Sequence, residues 1–99
     1  MTSTPTMPPV HPGEILKEEF LDPMGITPYR LAKEIGVDQT RLSQIIAGTR
    51  SITADTGLRL SRFFNMSEGF WTGLQELYDR ETARDELGDK LERIHPISA

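Results

Sequence analysis

Apolar residues recur at helical spacing in five stretches of the chain, and no stretch sustains the two-residue alternation of a half-buried strand. The pattern predicts an all-α domain of five helices. The first runs from about Gly13 to Leu21, with Ile15, Leu16, Phe20 and Leu21 as its buried stripe. Pro12 suits its first turn, Glu14 suits the helix dipole, and Pro23 is expected to stop it. The second starts on Thr27 as cap with Pro28 behind it, buries Leu31, Ala32 and Ile35, and ends at Gly36. Asp38 caps the third, which buries Leu42, Ile45 and Ile46 and closes at Gly48. The fourth runs from about Thr53 to Phe64 on Leu60, Phe63 and Phe64, with Asn65 as a left-handed stop. The fifth is expected from Ser67. Phe70, Trp71, Leu74, Leu77 and Tyr78 give it the cleanest amphipathic face in the chain. It continues through the charged run DRETARDE, after which Leu87, Leu91 and Ile94 form a thinner stripe.

Around these helices lie a proline-rich arm at residues 1–12 and an extension at 87–99, leaving 13–86 as the domain. At 99 residues, 36% hydrophobic and 26% charged, the chain has room for one small domain with a modest core, so oligomerisation is expected. There is no cysteine, hence neither a disulfide nor a thiolate metal site. No apolar run nears the ~20 residues of a membrane helix. The N-terminus lacks the basic and apolar regions of a secretory signal, and a cytoplasmic location is expected.

The net charge of −4 taken whole disfavours nucleic acid, but its distribution is uneven. Residues 1–26 carry −3 and residues 63–99 carry −4. Residues 27–62 carry +3, from Arg30, Lys33, Arg41, Arg50, Arg59 and Arg62 against Glu34, Asp38 and Asp55. Local field outweighs total charge within a Debye length of ~8–10 Å.

Inside that basic middle, Thr27 to Arg50 reads TPYRLAKEIGVDQTRLSQIIAGTR: two short helices joined by the tight turn Gly36-Val37-Asp38. Ala32 is small enough for a close helix crossing, and Val37 can plug between the helices. With Leu42 and Ile45 facing inward, the third helix is left to show Gln39, Thr40, Arg41, Ser43 and Gln44 outward. These side chains read base edges: Gln pairs with adenine, Arg with guanine, and Thr or Ser with several partners. They cluster in the first two turns, the part of a recognition helix that enters the major groove. Thr49, Arg50 and Ser51 in the next loop are placed for phosphate, as are Tyr29, Arg30 and Lys33 on the second helix. The second helix's amino end also offers free N–H groups.

The segment resembles the Cro/C1-type (XRE, lambda repressor-like) helix-turn-helix family. A narrower similarity covers roughly residues 11–80. HPGEILKEEF, GITPYRLAKEIGV, the recognition helix ending in IIAGTR, SITADTGLRLSRFF and the FW…LQ…YD stretch together look like the HigA-type (VapI-like) antitoxins. The resemblance implies a dimeric repressor that binds double-stranded operator DNA, represses its own operon and neutralises a HigB-type, RelE-superfamily, mRNA-cleaving toxin. Carried over by position, base reading falls on Gln39, Thr40, Arg41, Ser43 and Gln44, and phosphate contact on Tyr29, Arg30, Thr49 and Arg50. One departure stands out: many such repressors carry Gln where this chain has Pro28, so the brace that Gln gives the third helix must come from elsewhere.

No other chemistry is legible. His11 and His95 are far apart with no ligand at metal spacing, Glu18 and Glu19 point to different helix faces, and there is no phosphate-binding glycine loop. No enzyme activity, metal, cofactor, small-molecule substrate or membrane contact is expected. Phe70 and Trp71 fit either the core or a two-fold seam. That seam is expected to draw on Phe70, Trp71, Leu74, Leu77, Tyr78, Leu87 and Leu91. The acidic run Glu76–Glu92 is either a solvated face or a dock for a basic partner. A stand-alone phage-type repressor without a toxin, and a helical interaction module that no longer meets DNA, remain the alternative readings.

Overall fold

The computed structural model describes residues 8–98, which form helices and, among the described residues, no strand. Helix α1 is continuous over residues 12–24: α-helical at Pro12–Ile15, wound as a π-helix at Leu16–Leu21, then α-helical at Asp22–Met24. Helix α2 spans Pro28–Ile35, α3 Gln39–Ile46, α4 Ala54–Phe64 and α5 Phe70–Leu87. The five expected helices are thus present. A single further turn, α6, follows at Asp89–Glu92 beyond a break at Gly88.

The two expected caps form, at Thr27 and Asp38, and Thr53, expected only as a helix start, supplies a third. Thr27 Oγ1 accepts the Arg30 N–H at 3.1 Å, Asp38 Oδ2 the Arg41 N–H at 3.3 Å, and Thr53 Oγ1 the Thr56 N–H at 3.3 Å. Each satisfies one of the N–H groups that the first helical turn leaves without a carbonyl. Asn65 takes the left-handed conformation at φ 57°, and Met66 N–H closes the turn onto Ser61 O at 2.8 Å.

Three expectations change at helix ends. Pro23 does not stop α1. A proline lacks the N–H of its own turn, and its ring presses on the carbonyl four residues back. The wide π turn at Leu16–Leu21 comes just before it and relieves that crowding, so the helix continues one residue past it. Gly25 then ends α1, with Ile26 N–H bonded to Leu21 O at 3.0 Å. Helix α5 begins at Phe70 rather than Ser67, because residues 67–69 form a turn in which Ser67 O accepts the Phe70 N–H at 3.2 Å. The arm is shorter than expected. Residues 1–7 lie outside the described residues, but Pro12 is buried and His11 half-buried, so both belong to the fold.

The core is one cluster: Leu16 and Leu21 from α1, Leu31, Ala32 and Ile35 from α2, Leu42 and Ile45 from α3, Leu60 from α4 and Trp71 from α5, with Val37 and Ile52 from the connections. Helix α1 crosses α3 and α5, α2 packs on α3 and α4, and α4 packs along α5. Trp71 sits at the centre with 0% exposure; Phe20 lies 5.0 Å away between ring centroids, Phe70 5.1 Å and Phe64 6.2 Å. This corrects one expectation. A side chain with no exposed surface has nothing to offer a second copy, so Trp71 leaves the anticipated seam. Leu77, Leu87 and Leu91 stay exposed at 40–45%, and Phe70, Leu74 and Tyr78 are half-buried.

Candidate nucleic-acid interface

Helices α2 and α3 cross as two short rods around the Gly36-Val37-Asp38 turn. Gly36 takes φ 71°, and Val37, although in the turn, is buried between the helices as expected. The carbonyls that end α2 have no partner within the helix. Arg59 of α4 supplies one: its Nη1 donates to Ile35 O at 2.8 Å and reaches Gly36 O at 3.4 Å. Its Nε donates to Asp55 at 2.7 Å, which fixes the guanidinium. A cation at a helix carboxyl end is also favoured by the dipole. Arg59 was counted with the basic middle by its charge; the fold commits it to the turn.

Gly13 sets α1 against α3. A Cβ there would collide with the Ile45 carbonyl and stand 2.9 Å from Ile46 Cα. Only glycine lets α1 lie against the backbone of α3, and this contact braces the helix that Pro28 cannot brace. A helical glycine was the available signal, but spacing along the sequence gave no hint of what it would meet.

The outward face of α3 is exposed at four of its five expected positions. Leu42 and Ile45 are fully buried, while Gln39, Thr40, Ser43 and Gln44 are exposed. Those four, with Ala47 and Thr49, line a shallow open groove of about 390 Å³. Arg41 lies beside it, half-buried. No carboxylate lines this groove, so nothing there repels phosphate.

The flanking residues differ in readiness. Tyr29, Lys33 and Arg50 are exposed, and among the described residues no ion pair involves Arg41, Lys33 or Arg50. Arg30 leans toward Glu34 at 3.8 Å, an exposed pair worth at most ~1 kcal/mol that a phosphate can displace. Thr49 Oγ1 donates to Gln44 O at 3.2 Å, so this hydroxyl must turn before it can donate to phosphate.

Two further residues hold the loop after α3, and sequence reasoning passed over both in this role. Gln75 of α5 is 5% exposed; its Oε1 accepts the Ile52 N–H at 2.8 Å and its Nε2 donates to Asp79 Oδ1 at 3.0 Å. His11 caps α1 through Nδ1, which accepts the Gly13 N–H at 2.9 Å. Its ring meets Tyr78 edge-on at 4.9 Å and faces the Arg50 backbone. Burial lowers its imidazole below the ordinary 6.5, against the upward pull of the Arg50 backbone and Asp79. Among the described residues no cluster of three His, Cys, Asp or Glu is placed to hold a metal, and no helix is long and apolar enough to cross a membrane.

A bent pair of short helices with a polar, carboxylate-free outer face is the architecture of a helix-turn-helix DNA-binding domain. The chain matches the helix-turn-helix family over residues 16–71 and belongs to that family. Within it, the chain belongs with the HigA-type and VapI-like proteins. It is 45% identical to virulence-associated protein I of Dichelobacter nodosus over 92 residues, covering 93% of this chain and 84% of that one. It is similar to Pseudomonas aeruginosa PA4674, solved in complex with its 18 bp operator DNA, at TM-score 0.89 and 40% identity over 95% of this chain and 100% of that one. The Pseudomonas aeruginosa antitoxin HigA, solved with the higBA promoter, gives TM-score 0.86 and 38% identity over 91% and 99%.

Proposed function

We propose that this chain is the antitoxin of a type II toxin–antitoxin pair: a homodimer that binds operator DNA, represses its own operon and neutralises a HigB-type toxin in the cytoplasm. It works by binding, not by catalysis. The observation that carries the DNA half is the outer face of α3. Four exposed neutral polar side chains line one groove with no carboxylate among its lining residues, and Arg41 and Arg50, which adjoin lining residues in the chain, are in no ion pair among the described residues. Gln39, Thr40, Arg41, Ser43 and Gln44 read bases; Tyr29, Arg30, Lys33, Thr49 and Arg50 hold phosphate. A mobility shift on the DNA ahead of the chain's own gene tests this, and no shift at low salt would end it. Replacing Arg50 with alanine removes a phosphate contact. It should weaken binding to all sequences alike and lower the salt slope by about one unit per half-site, read from affinity against salt concentration.

The dimer half rests on α5 and α6. Leu77 exposes apolar surface on the stretch of α5 that carries the half-buried Leu74 and Tyr78, and Leu87 and Leu91 expose more about three turns further on, at the end of α5 and on α6. Pairing this surface across a two-fold would bury it and present two α3 helices to successive major grooves, ~34 Å apart. The double substitution L77D/L87D should leave the fold intact and give monomers by sedimentation. Unchanged dimers would move the seam elsewhere.

The toxin half is supported by the family and by charge. The segment that includes the acidic run Glu76–Glu92 carries net −4, complementary to a protein that must itself attract RNA phosphate. Co-purification with the product of the adjacent gene tests it, and a truncation after Tyr78 compared with one lacking residues 1–10, which keeps His11 and Pro12 in the fold, locates the docking surface.

A further inference from the structure

We infer that His11, Tyr78 and Gln75 act as positioning residues for DNA binding, clamping the Gly48–Ile52 segment that carries Thr49 and Arg50. The inference rests on the DNA-binding reading of the α3 face. The segment has no regular structure of its own between α3 and α4. It is held at both ends by groups from elsewhere. At its start the His11 ring packs on Gly48, where a Cβ would stand 3.7 Å from the imidazole carbon, and the same ring faces the Arg50 backbone. At its end Gln75 Oε1 takes the Ile52 N–H at 2.8 Å, and Asp79 orients that amide by accepting from Nε2. Tyr78 supports the His11 ring edge-on from α5. A loop so held keeps Arg50 in one place, and a phosphate contact loses less entropy on forming when its donor is already placed.

The His11 end has a chemical consequence. Nδ1 accepts from Gly13, so the neutral ring carries its proton on Nε2. A second proton would enter at Nδ1, opposite the Gly13 N–H. That breaks the cap of α1 beside the glycine that rests on Ile45 and Ile46 of α3. The groups facing the ring are Tyr78 and Asp79 from α5 and the Arg50 backbone from the loop; Glu14 follows on its own helix. Burial keeps the ring neutral to lower pH than free histidine, so the clamp is whole at neutral pH and opens as pH falls below the ordinary 6.5.

The test is operator affinity of the full chain, measured by fluorescence anisotropy from about pH 7.5 to about pH 5.5. The variants are His11→Asn, which keeps a capping oxygen and does not titrate, the control His95→Asn, and Gln75→Leu. The parent and His95→Asn should lose roughly tenfold more affinity on acidification than His11→Asn. At neutral pH, Gln75→Leu should bind about five- to tenfold more weakly and show a shallower salt slope, as Arg50→Ala does. Equal pH profiles for parent and His11→Asn, or a folded Gln75→Leu with parental affinity and slope, would overturn the clamp. If Gln75→Leu loses its helical circular dichroism, the His11→Asn profile still decides. A parent that binds no operator at neutral pH instead defeats the DNA reading itself.

Discussion

Trp71→Ala should cost the fold about 3–5 kcal/mol, the largest stability loss expected from any single truncation in this chain. The ring is fully buried where α1, α4 and α5 meet, with Phe20, Phe64 and Phe70 around it. Removing it leaves a cavity that three helices must collapse to fill. A domain of this size holds roughly 5–15 kcal/mol in all, so the variant should melt far below the parent and be partly unfolded when warm. Trp71→Phe is the informative contrast. The indole Nε1 has no hydrogen-bond partner among the described residues, so phenylalanine loses volume but no bond, and should recover most of the deficit. Thermal denaturation of both variants checks this. Equal losses would mean that the indole N–H has a partner the structure does not reveal.

Arg41→Ala should cost roughly 1–3 kcal/mol of operator affinity at each half-site and relax the sequence preference at one base position. Both consequences follow from a side chain placed at a base edge. Arg41 stands in the first turn of α3, half-buried, with its backbone N–H already used in the Asp38 cap. Among the described residues no ion pair competes for its guanidinium. Selection from a randomised operator library, run on parent and variant, separates this from Arg50→Ala, which should weaken every sequence equally. Loss of affinity with unchanged preference would make Arg41 another phosphate contact and shift base reading to the groove-lining Gln39, Thr40, Ser43 and Gln44.

Legibility followed the range of the interactions. The turn between α2 and α3 was visible because Thr27, Pro28, Gly36 and Asp38 each act on backbone within a few residues. The outward side chains of α3 followed by subtraction, once Leu42 and Ile45 were assigned inward. Pro23 misled because its local rule is to end a helix, and only the π turn before it shows how the helix went on. Trp71 was ambiguous for a different reason. An apolar face states that a residue will be covered, not whether its own chain or a second one does the covering.

The sequence alone therefore determined five helical segments, the caps of α2 and α3, the inner and outer faces of α3 and the basic character of the middle of the chain. These follow from periodicity, capping chemistry and charge, all of which act locally. Tertiary structure decided what local rules do not reach. Arg59 belongs to the α2 carboxyl end, Gly13 to the backbone of α3, Trp71 to the core, and His11 and Gln75 to the loop that presents Arg50. Each joins residues 20 or more positions apart, and no spacing along the chain specifies which distant partners the packing will bring together.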